Sequence, residues 1–127
     1  MLVLGMVFAG LAAALHVLIF WMESLAWDGP AARRVFGPAT AAEVESTRAL
    51  AFNQGFYNLF LAIVTGVGIA FVTASGSGIG TALVLAGTGS MAAAALVLFV
   101  SNPGKRSAAL RQGILPLLAV AATVLGL

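Results

Sequence analysis

The chain has 127 residues, 61% of them hydrophobic and 8% charged, with a mean hydropathy of +1.09. A soluble domain carries about 25% charged residues, so a water-soluble globule is excluded: there is too little polar surface to cover it. The basic balance rests on six Lys and Arg against four Asp and Glu, which is no nucleic-acid-binding patch, and the absence of cysteine excludes disulfides, thiolate metal sites and a cysteine nucleophile.

The first apolar stretch predicts a helix from about Leu2 to Trp27, roughly 39 Å long and enough to cross a ~30 Å hydrocarbon core with tilt. Its start lacks the positive flank of a signal peptide, and it contains His16 and Glu23, so it reads as a retained first helix. Asp28-Gly29-Pro30 ends it. The first connection carries Arg33, Arg34 and Phe36, expected to lie on the headgroups. Thr40 and Glu43 then match a capping box, which predicts a second helix over 41–72 that starts before the bilayer and enters it near Arg48. Ser75-Gly76-Ser77-Gly78 is a turn, and the third helix follows over 79–100. Ser101-Asn102-Pro103-Gly104 stops it. The fourth helix is expected over 107–127, capped by Ser107 and containing Pro116. The chain thus reads as one all-α domain, a polytopic membrane protein with a four-transmembrane-helix bundle.

Every Lys and Arg flanks the first or third connection. Basic residues accumulate on the cytoplasmic side of a membrane. The expected topology places both termini outside and the segments 28–47 and 101–107 in the cytoplasm, in the plasma (cytoplasmic) membrane. Small residues recur every four positions, at Ala62, Gly66 and Ala70 and at Ala82, Ala86, Ser90 and Ala94. Such stripes let helix backbones approach closely in lipid. Packing within the bundle is one reading of them, and a homodimer seam is the other; membrane lipid is the remaining partner.

Polar residues inside the spans are the candidate site. His16 and Glu23 are seven residues apart, about 700° of helical rotation, so they share a face. Asn53, Gln54, Tyr57 and Asn58 crowd the second helix over an arc of about 140°. Arg111 and Gln112 enter at the start of the fourth. Depth counted from Trp27 on the first helix and from the entry at Arg48 on the second predicts one layer of His16, Tyr57 and Asn58 and a shallower one of Glu23, Asn53, Gln54, Arg111 and Gln112. Glu23 is expected to pair with Arg111, or failing that Arg48, since an unpaired buried carboxylate is costly. One His, one Glu and no Cys make a poor metal site, and no cofactor signature is present.

These residues also carry a resemblance. His16, Glu23, Trp27, Phe36, the run Asn53-Gln54-Gly55-Phe56-Tyr57-Asn58-Leu59-Phe60-Leu61-Ala62, Pro103-Gly104, Gln112 and Pro116 resemble an uncharacterised family, domain of unknown function 1304, of small bacterial and fungal integral membrane proteins. The resemblance covers nearly the whole chain. It implies the four-helix membrane fold and singles out the same polar residues, and it implies no activity. From the residues, the first functional reading is binding or transport of a small solute or ion at the polar site. The alternatives are a membrane enzyme with His16 or Glu23 as general base and Tyr57 as donor, and a structural or assembly protein whose polar residues only join helices.

Overall fold

In the computed structural model, which describes residues 1–127, the chain is all helix and turn. Helix α1 spans Leu2–Phe20 and continues into one π-helical turn, Trp21–Leu25, closed by the Ala26 N–H on the Trp21 carbonyl at 3.0 Å. It stops there, short of the expected Trp27. The first connection is not loop throughout: Pro30–Phe36 forms a short helix, α2. Gly29 stands at its N-cap and Pro30 in its first turn, where a missing N–H costs nothing. Gly37, at φ +97°, then reverses the chain as few other residues would.

Helix α3 runs Ala41–Ser75, and both halves of the capping box form. The Glu43 N–H donates to Thr40 Oγ1 at 3.2 Å, and the Thr40 N–H donates to Glu43 Oε2 at 2.7 Å. Gly76, left-handed at φ +61°, closes its far end. Helix α4 is Gly78–Ser101, with the Ser77 hydroxyl accepting from the Ile79 N–H. A 3₁₀ turn at Pro103–Lys105 leads into α5, Arg106–Val124. Ser107 is therefore inside α5 and does not cap it, and the helix continues across Pro116.

Four of these helices are long and apolar enough to cross a membrane. They form an up-down ring in which α1 packs between α3 and α5 and α4 closes the opposite side. The seams are set by glycines. A Cβ on Gly68 would sit 2.7 Å from the Val84 nitrogen and 2.8 Å from the Gly80 carbonyl, and one on Gly80 would sit 2.7 Å from the Val72 nitrogen. Gly5 against Thr123, Gly87 against Thr65 and Gly113 against Ala95 make the other close crossings. In lipid no hydrophobic effect drives helices together, so the packing gained by such approach is what holds the ring. The i, i+4 stripes named from the sequence are mostly not these seams. Ala62 is buried, but Gly66, Ala70, Ala82, Ala86, Ser90 and Ala94 face outward.

Helix α2 does not merely rest on headgroups. Ala32 is fully buried against Ile19 and Met22 of α1, with Val35 and Phe36 beside them. Arg33 binds it in place: its guanidinium lies 4.5 Å over the Trp27 ring and donates to the Trp27 carbonyl at 3.1 Å. Trp27 also packs on Phe36, and Lys105 Nζ donates to the Phe36 carbonyl. This plug of aromatic and basic residues covers the end of the bundle that carries all the charged residues of the connections.

Candidate functional site

Helix α3 has 35 residues, roughly 52 Å, against the ~30 Å hydrocarbon core. Its far end is tied to α4 by a two-residue turn, so the surplus extends at the Ala41 end. Twenty residues counted back from Ser75 reach about Phe56. Asn53 and Gln54 therefore stand at the edge of the hydrocarbon, where water and headgroups satisfy amides. Both are exposed on the outer face of α3, and Tyr57 beside them is 69% exposed. With Phe52, Phe56 and Phe60, whose rings step along the helix at 5.0 and 6.2 Å, they form an aromatic, amide-bearing interfacial face. They do not line the bundle interior.

What the structure does bring together is Glu23 and Asn58. Asn58 Nδ2 donates to Glu23 Oε2 at 2.8 Å and to the Gln54 carbonyl at 3.1 Å. Glu23 is only 8% exposed and its other carboxylate oxygen has no hydrogen-bond partner in the protein. The contact depends on Gly55. A Cβ there would overlap the Ser24 hydroxyl and lie 3.0 Å from the Ser24 nitrogen. The bare glycine lets α1 and α3 touch, and Ser24 Oγ donates across the gap to the Phe52 carbonyl at 2.8 Å. The π-turn places Met22 toward α2 while Glu23 and Ser24 meet α3. Such turns are found frequently at functional sites.

The expected ion pair does not form. The ion pairs in the structure are Arg48 with Asp28 at 3.6 Å and Arg48 with Glu45 at 3.1 Å, all on the surface. Arg111 lies on the other flank of α1. With Gln112 it lines a narrow groove of about 90 Å³ between α1, α2 and α5, beside Leu15, Leu18 and Phe36. Helix α5 does neighbour α1, as expected, but Glu23 turns the other way, toward α3.

His16 also departs from its expected layer. Helices α1 and α3 are antiparallel, with Glu23 level with Asn58. Seven residues back from Glu23 therefore corresponds to seven residues on from Asn58, so His16 is level with Thr65 rather than Tyr57. It is 2% exposed, and its Nδ1 contacts the Ala12 carbonyl at 2.8 Å. A carbonyl only accepts, so Nδ1 carries the proton in this contact. Seven residues separate the ring from Glu23 by about 10 Å along the helix. No group of three His, Asp or Glu gathers that would hold a metal ion.

A sequence-family model, described as a protein of unknown function (DUF1304), matches residues 10–124. The chain belongs to the DUF1304 family. Neither the curated proteins nor the solved structures contain a match to it. The matched span includes His16 and the Glu23, Ser24, Gly55 and Asn58 contact between α1 and α3. Of these, Ser24 and Gly55 escaped sequence reasoning as site residues. The one available signal was a glycine set inside a run of amides, where a close helix approach has need of it.

Proposed function

We propose that this DUF1304 membrane protein binds a proton or small cation at Glu23, entered from the end of the bundle that α2 covers. The observation that carries the reading is a buried carboxyl inside a membrane span whose only protein partner is an amide. Ionisable groups at such positions are expensive and mark function by default. A structural acid would be neutralised by a base, yet Glu23 forms no ion pair, and Arg111 lies in the groove on the other flank of α1. The Asn58 amide suits an exchange site: it steadies one carboxylate oxygen in either protonation state and leaves the second for the ligand.

Binding is favoured over passage across the membrane. Beyond His16 the seams are closed by Gly68 on Gly80 and Gly5 on Thr123, and the buried Thr123 hydroxyl there is a lone polar group with no hydrogen-bond partner to relay to. The enzyme reading needs Tyr57 to converge with Glu23 or His16, and Tyr57 faces outward. The test is labelling with dicyclohexylcarbodiimide, which attacks carboxyl groups in apolar surroundings, on protein in detergent micelles. Glu23 should be the labelled residue, sodium or acid–base titration should modulate the rate, and Glu23→Gln should fold normally and remain unlabelled. A Glu23 that never reacts, at any pH or cation concentration, refutes the proposal.

A further inference from the structure

A second site lies on the opposite side of the bundle. Helices α4 and α5 cross closely at Gly113, where an added Cβ would stand 2.6 Å from that of Ala95. Beside the crossing an apolar groove of about 370 Å³ opens outward, floored by Ala92, Ala95 and Gly113 and walled by Leu96, Leu110 and Leu117. An apolar cavity of about 150 Å³ is enough to accept benzene, so this groove holds a substantial length of hydrocarbon. Its long axis follows the helices for roughly seven residues, Ala92 to Phe99, or about 10 Å.

One end of the groove is charged. Phe99 lines it, and Arg106 sits on Phe99: its guanidinium is 4.9 Å from the ring centroid, and its Nε donates to the Phe99 carbonyl at 3.1 Å. That bond uses only Nε, leaving both terminal nitrogens free in the exposed headgroup region. Arg106 also stands four residues before Leu110, on the groove's own stripe of α5. The charge is uncompensated on this side. Residues 78–127 contain Lys105, Arg106 and Arg111 and no acid, a net charge of +3, while residues 1–77 carry three bases and four acids, −1. A guanidinium fork with free donors at the mouth of a hydrocarbon slot matches one chemistry, a phosphate diester joined to an acyl chain.

We infer that the α4–α5 groove is a binding site for an anionic phospholipid, with one acyl chain between the helices and the headgroup phosphate on Arg106. The site is independent of Glu23 and stands or falls separately from it. The experiment exchanges the purified protein, in detergent, against an equimolar mixture of phosphatidylglycerol and phosphatidylcholine, and quantifies retained lipid by mass spectrometry. Wild type should retain the anionic lipid about five- to tenfold in preference, the contribution of about one basic residue at a membrane surface. Arg106→Gln should erase the preference, and Arg106→Lys should restore part of it. Ala93→Phe, an exposed position on the groove that leaves the core untouched, should lower retention of both lipids. Equal retention of the two lipids by wild type overturns the inference, as does an unchanged preference in Arg106→Gln. Inorganic phosphate competing as well as the whole lipid would also overturn it, since the groove would then contribute nothing.

Discussion

Three glycines of α3 offer the same substitution in three surroundings. Gly55→Ala places a methyl group on the Ser24 hydroxyl and 3.0 Å from the Ser24 nitrogen. The hydroxyl can rotate aside, at the loss of its bond to the Phe52 carbonyl, worth about 0.5–1.5 kcal/mol. The backbone contact needs α1 to move, and overpacking of this kind costs about 1–3 kcal/mol. Against this, alanine is about 1 kcal/mol the better helix former. The net loss should be about 0.5–3.5 kcal/mol. Gly66→Ala meets nothing within 4 Å and should keep the whole propensity gain. Gly68→Ala meets the Val84 nitrogen at 2.7 Å and the Gly80 carbonyl at 2.8 Å, backbone atoms with no rotamer to escape into, and should be the worst of the three. The gap between Gly55→Ala and Gly66→Ala, about 1.5–4.5 kcal/mol, is roughly a tenfold or larger change in the unfolding equilibrium. Unfolding in mixed micelles titrated with dodecyl sulfate, followed by tryptophan fluorescence, resolves that difference. Gly55→Ala should also change carbodiimide labelling of Glu23, because it pushes apart the helices that hold Glu23 and Asn58; Gly66→Ala should not. Equal stability of the two variants would falsify the assignment of Gly55 as the contact that closes α1 on α3.

Asn58→Leu should cost about 1–3 kcal/mol in the same unfolding assay, because it strips a buried carboxyl of its donor; adding Glu23→Leu should recover part of the loss, and additive losses would mean the pair is not coupled. Arg111→Gln should shift stability by no more than ~0.5 kcal/mol, the usual range for surface substitutions away from such features, since Arg111 meets no carboxylate; a loss of several kcal/mol would show that it pairs with Glu23 in the membrane after all. Reporter fusions should place the C-terminus outside, with alkaline phosphatase active and a cytoplasmic fluorescent protein dark, as the clustering of all bases at the α2 end requires; the reverse pattern would invert the topology.

Much was legible in the sequence because it depends on local physics. An apolar run of twenty residues must satisfy its own backbone in lipid, so four such runs dictate four helices. The Thr40 and Glu43 cap is a matter of three-residue spacing, and it starts α3 at Ala41. Glu23 and Asn58 were marked as candidates because polar groups in a span need a reason. The register between helices was not legible. Depth counted from Trp27 on α1 and from an entry at Arg48 on α3 misplaces the layers, because α3 overshoots the membrane further than Arg48, and that surplus moves Asn53, Gln54 and Tyr57 to the interface and Glu23 opposite Asn58. Direction around the ring was equally hidden. Periodicity puts His16 and Glu23 on one face of α1, but only packing says whether that face meets α3 or α5, and so whether the acid finds an amide or an arginine. The choice is made by Gly55, whose missing side chain lets α1 approach α3 at Ser24, and a contact between residues thirty-one positions apart leaves no periodic trace in the chain.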